Sequence, residues 1–107
     1  MITVKNIIGN NGNAVVNQFV LTDLHSKDEI TFQSYDSLIC TVSYDTNTII
    51  LYPNWNYSTT TAKYLYIFLK DYAGCYDLGN RKAIIKALKD GFYKDYKVEL
   101  ATAQIYN

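Results

Sequence analysis

Apolar and polar positions alternate from Val15 to Thr22: Val15, Asn17, Phe19 and Leu21 on one side, Val16, Gln18, Val20 and Thr22 on the other. That period of two predicts a strand with one well-buried face. After a polar turn at His25-Ser26-Lys27-Asp28, the segment Glu29 to Ser34 continues with Ile30 and Phe32 opposite Thr31 and Gln33, which completes a hairpin. Leu38 to Tyr44 is rich in β-formers, Asp45-Thr46-Asn47 turns the chain, and Thr48 to Tyr52 returns as the second hairpin. Beyond Ser58 the period changes. Ala62, Leu65, Tyr66, Leu69, Tyr72 and Ala73 recur at three-, four- and seven-residue spacings, one face of a helix. Ser58 to Thr61 supply hydroxyls that can cap its start, and Gly74 ends it. A second helix is predicted over Asn80 to Asp90 with Ile84, Ile85 and Leu88 inward and Gly91 at its end. Tyr96 to Ile105 alternates again as a closing strand, with Val98, Leu100 and Thr102 opposite Lys97, Glu99 and Ala101.

These elements predict one α+β domain over residues 1–107, an antiparallel sheet of about five or six strands with two consecutive helices packed on one face. Length agrees, since 107 residues make one domain. A hydrophobic fraction of 49% with 19% charged residues argues against disorder, and no apolar run is long enough for a membrane span. The start, Met1 to Ile8, is too short and interrupted for a secretory signal, so a cytoplasmic location is expected. Cys40 and Cys75 then read as reduced thiols rather than a bridge.

Ten basic and ten acidic residues cancel, which argues against a general polyanion binder. The cancellation hides an asymmetry. Residues 1–62 hold two lysines against five carboxylates, and residues 63–107 hold seven lysines and Arg81 against five, so the halves carry −3 and +3. Arg81, Lys82, Lys86 and Lys89 gather on the second helix, either as a solvated face or as a nucleic-acid contact.

No reaction emerges from the residues. One histidine and two cysteines 35 positions apart do not make a zinc site, and no nucleophile elbow is present around Cys40, Cys75 or His25. Gly9-Asn10-Asn11-Gly12 lacks the spacing and the Lys-Ser/Thr of a phosphate loop. No catalytic residue, metal or other cofactor is expected. Aromatic content is the unusual feature: 15%, from eleven Tyr, four Phe and one Trp. Trp55, Tyr57, Lys63, Tyr64 and Ile67 fall in and just after the loop Tyr52-Pro53-Asn54-Trp55-Asn56-Tyr57-Ser58. Two readings stand side by side: a second small core around Trp55 and Phe68, or an exposed aromatic patch of the kind enriched at binding hot spots.

Phe32-Gln33-Ser34-Tyr35-Asp36-Ser37, then Trp55-Asn56-Tyr57-Ser58-Thr59-Thr60-Thr61-Ala62-Lys63-Tyr64 and Phe68-Leu69, preceded by Asn17-Gln18-Phe19-Val20, carry a resemblance. Over about residues 15–70 the chain resembles a small domain of unknown function found in phages and mobile elements of Gram-positive bacteria. The resemblance implies a non-enzymatic protein that binds and blocks a host protein, a defence component such as a CRISPR effector nuclease. Its expected contact residues are Trp55, Tyr57, Lys63, Tyr64 and Ile67, and it acts as a monomer or homodimer, with no membrane partner. The alternative is a single-strand nucleic-acid accessory protein reading through Arg81, Lys82, Lys86 and Lys89.

Overall fold

The computed structural model describes residues 2–23 and 28–101. Its elements follow as β1 (Ile2–Ile8), β2 (Ala14–Asp23), β3 (Glu29–Ser34), β4 (Ser37–Ser43), β5 (Thr48–Leu51), α1 (Thr59–Ala73), α2 (Arg81–Asp90), β6 (Phe92–Tyr93) and β7 (Tyr96–Leu100). One sheet runs in the order β1-β2-β3-β4-β5-β7-β6, antiparallel except between β5 and β7. The α+β class is as the pattern predicts, with seven strands instead of about five or six. Both hairpins and both helices lie where the periodicity places them. The additions are the edge strands β1 and β6. In β1 only Ile7 is buried, so no alternation marks it. The turn at His25 to Lys27 and the closing strand's end from Thr102 to Ile105 lie outside the described residues.

Register defines the buried face. Residues directly opposite one another share a face of the sheet. Phe32 opposes Cys40, Ile30 opposes Val42, Cys40 opposes Leu51, and Val42 opposes Ile49, whose parallel partner is Val98. These side chains form one apolar surface, and Leu65 and Phe68 from α1 with Ile84 and Ala87 from α2 join the same buried cluster. Each large aliphatic or aromatic side chain buried this way contributes about 1.5–3 kcal/mol. The parallel pairing of β5 with β7 follows from the connection: a crossover of two helices is long enough to bring the chain back in the same direction.

On α1 the buried side is Thr61, Leu65, Ile67, Phe68 and Leu69, rotated from the stripe the spacing suggests. Phe68, away from that stripe and read either as part of a small core or as an exposed patch, is completely buried, its ring stacked on Phe32 with centroids 5.7 Å apart. Tyr66 and Tyr72 move to the half-buried margin. Both helices are capped at each end. The Ser58 hydroxyl accepts from Thr61 N–H and Asn80 Oδ1 accepts from Ala83 N–H. At the C-termini Gly74 and Gly91 take the left-handed conformation, with φ of 67° and 82°. No described helix is long and apolar enough to cross a membrane.

Candidate functional site

The β1–β2 connection folds back on itself tightly. Gly9 N–H donates to the Asn13 carbonyl at 2.9 Å, Gly12 N–H to the Gly9 carbonyl at 2.9 Å, and Asn13 N–H to Asn11 Oδ1 at 3.0 Å. Gly12 holds φ at 83°, a region that disfavours any side chain. Between the pairs Asn6↔Phe19 and Ile8↔Ala14, β1 advances two residues while β2 advances five. The surplus on β2 forms a bulge around Asn17, itself left-handed at φ 65°, and throws Val16 out to 75% exposure. Residues of the tip and of α1 border common hollows.

Two hollows lie between tip and helix. The first, about 420 Å³, is bounded by Gly9, Asn10, Asn13, Val15 and Val16 on the hairpin and by Lys63 and Tyr64 on α1. The second, about 250 Å³, takes Asn10, Lys63, Tyr66, Ile67 and Lys70 and reaches Tyr76 and Gly79 in the α1–α2 connection. Asn10 and Lys63 border both, so the two hollows adjoin along α1 and are described together as a groove. No Asp or Glu lines it. The Lys63 ammonium sits over the Tyr64 ring, 5.4 Å from its centroid. Described ion pairs elsewhere join Lys86 to Asp90 at 2.7 Å and Lys94 to Asp77 at 3.8 Å, and neither groove lysine takes part in one.

Of the five aromatic-segment residues predicted as partner contacts, the structure brings Lys63, Tyr64 and Ile67 together in this groove. Ile67 lies in its wall at 7% exposure. Trp55 is corrected: it is 6% exposed and belongs to the core cluster, its backbone N–H donating to the Tyr52 carbonyl at 2.9 Å. A buried indole sealing the turn after β5 is the small-core reading, and it removes Trp55 from the accessible surface. Tyr57 is exposed but borders neither hollow. Arg81, Lys82, Lys86 and Lys89 are all exposed on α2, away from the lining of the groove, and Lys86 is engaged by Asp90. Sequence reading missed the hairpin tip, Val16 and Tyr76, the last 73% exposed. The asparagines and glycines at 9–13 signalled a turn, and nothing local says which helix a turn will face.

Beneath the start of α1 three polar residues converge. Gln18 opposes Ser34 in the β2–β3 register, and the Ser34 and Thr61 hydroxyls hydrogen-bond at 3.0 Å. All three residues are buried to 1% exposure or less. Two left-handed residues flank the pair: Tyr35, at φ 53°, donates its N–H to the Asn17 carbonyl at 2.8 Å. Gln33 Nε2 then donates to the Tyr35 carbonyl at 2.6 Å. Phe-Gln-Ser-Tyr thus provides a core ring, a side-chain brace, a buried hydroxyl and the strained corner. Residues 2–87 match the model of a family described as a family of unknown function, DUF8033. The chain belongs to this family. Its DUF8033 region contains the hairpin tip, the polar knot and all of α1, so the whole groove lies within the family's extent, while β6 and β7 lie beyond it. No curated protein matches the chain. No solved structure matches it.

The two thiols of this DUF8033 chain sit in the core. Burial pushes the Cys75 thiol up to about 11, and pushes that of fully enclosed Cys40 further in the same direction. Neither is poised as a thiolate nucleophile.

Proposed function

We propose that this chain is a non-enzymatic binding protein that covers a site on another protein, with the groove between the β1–β2 tip and α1 as its contact surface. The observation that carries the reading is the groove itself. It is concave and free of carboxylates; Val16 and Tyr64 line its first hollow and Tyr66, Ile67 and Tyr76 its second, the mixture that desolvates well and keeps polar handles. The resemblance to phage and mobile-element domains supplies the setting: the partner is a bacterial host protein, a defence component such as a CRISPR effector nuclease, met in the cytoplasm. A second reading, contact with single-stranded nucleic acid through Arg81, Lys82 and Lys89, is favoured by their exposure on one helix.

Affinity capture from host lysate treated with nuclease separates the two. The protein-binding reading predicts one stoichiometric host protein that survives nuclease and is lost with Tyr64→Ala while the variant's circular dichroism stays native. Recovery of nucleic acid alone, abolished by nuclease or by Lys82→Gln/Lys89→Gln, overturns it.

A further inference from the structure

The charge of the groove points to the chemistry of what fills it, on the premise that the groove is a protein-contact surface. Lys63 and Lys70 stand seven residues apart on α1. Seven residues are close to two turns, so both side chains rise from one side of the helix, about 10.5 Å apart along its axis. Tyr66 and Ile67 lie between them on the same wall. Neither lysine has a carboxylate within ion-pair distance among the described residues, and none lines the groove, although the chain as a whole is neutral. A local excess of two positive charges in a concave surface is complementary to an acidic occupant.

We infer that the groove binds an extended acidic segment of a partner protein, with carboxylates three residues apart meeting Lys63 and Lys70. An extended left-handed segment repeats every three residues with a rise of about 3.1 Å, so side chains i and i+3 share a side about 9 Å apart. That span is close to the helical rise of about 10.5 Å between the two lysine positions, and their flexible stems cover the difference. Between the two lysines the segment meets Tyr66 and Ile67 in the second hollow, and beyond Lys63 it meets Val15, Val16 and Tyr64 in the first, linings that suit aliphatic side chains. The amides of Asn10 and Asn13 line the tip and offer donors and acceptors to an unpaired backbone. Nucleic acid fits less well: stacking a base needs an open ring face, and Lys63 already lies over Tyr64.

The test is fluorescence anisotropy on the full chain with three labelled probes. One is a peptide of about twelve residues carrying Glu at every third position in an otherwise Pro-, Leu- and Ser-containing sequence. The second replaces each Glu by Gln, and the third is an oligothymidylate of equal length. The acidic peptide is expected to bind about tenfold more tightly than its Gln counterpart and to weaken with salt. Lys63→Gln and Lys70→Gln, both at exposed positions, should each weaken it by up to about fivefold, with Lys82→Gln on α2 neutral. Equal or undetectable binding of the two peptides, tighter binding of the oligonucleotide, or sensitivity to Lys82 instead of Lys63 and Lys70 overturns the inference. If the peptide fails while a nuclease-resistant host protein is still captured and lost with Tyr64→Ala, the acidic segment is wrong and the protein-binding reading stands. Failure of both removes the groove as a contact surface.

Discussion

Gln18, Ser34 and Thr61 lie in three separate stretches of sequence, yet all are buried where β2, β3 and the start of α1 come together, the Ser34 and Thr61 hydroxyls bonded to each other and Gln18 Oε1 without a hydrogen-bond partner among the described residues. A buried hydroxyl pair stabilises modestly while intact and costs more when half is removed, because the orphaned partner keeps its desolvation penalty. Thr61→Val is therefore expected to lower stability by about 1–3 kcal/mol in urea denaturation, with Thr61→Ser closer to the parent. The residue types were legible: polar side chains at fixed offsets mark positions with specific jobs. Their convergence was not, since it depends on the register that sets Gln18 against Ser34. Trp55 shows the same limit. An aromatic in a loop reads equally as a hot spot or as a lid on the core, and only the fold shows it sealed at 6% exposure. The cysteines give a pH prediction at this scale. Folding raises Cys75 from its ordinary 9.0 to about 11 and raises Cys40 as well, both chiefly by burial. The folded chain then holds protons that the unfolded chain releases, so this contribution is fully present below pH 9.0 and is lost as the pH rises through about 11. Tyr44, Tyr72 and Tyr96, also raised by burial, act in the same direction at higher pH. Urea midpoints should fall between pH 8 and pH 11, and thiol-reagent labelling at pH 8 should be slow until denaturant is added.

Elements with their own signals were readable in advance. The start and end of α1 and α2 follow from Ser58, Gly74, Asn80 and Gly91, each of which takes the capping role its chemistry favours. Asn80 accepts from Ala83 N–H at 2.9 Å on an exposed helix end, so Asn80→Ala should cost about 1 kcal/mol, seen as a lower thermal midpoint with the spectrum unchanged. The face that α1 buries was less readable. Its apolar residues nearly encircle the helix, and Phe68 wins the core position because Phe32 stands opposite it on the sheet. Strand β1 escaped for a different reason. At an edge with Ile2, Val4 and Ile8 all more than half exposed, its burial has no period of two. The bulge that lifts Val16 arises in the pairing of β1 with β2, a tertiary property no local window contains.

For the molecule as a whole, the charge asymmetry along the chain becomes a spatial one. The positive half supplies both helices. On α1 it places Lys63 and Lys70 on a groove without acids, and on α2 it leaves a solvated stripe in which Lys86 is already paired. The closing strand also takes a place that order along the chain does not announce: β7 inserts between β5 and β6, its Val98 joining the core beside Ile49. α2 lies against β6 and β7; those two strands fall outside the family match, whereas the groove and α2 as far as Ala87 fall within it. Amide hydrogen exchange on the full chain, alone and in complex with the captured host protein, tests the groove most directly. Slowed exchange at residues 9–16 and 63–70, with 82–89 unchanged, is the predicted result; protection confined to α2 or to the open face of β1–β4 would contradict it.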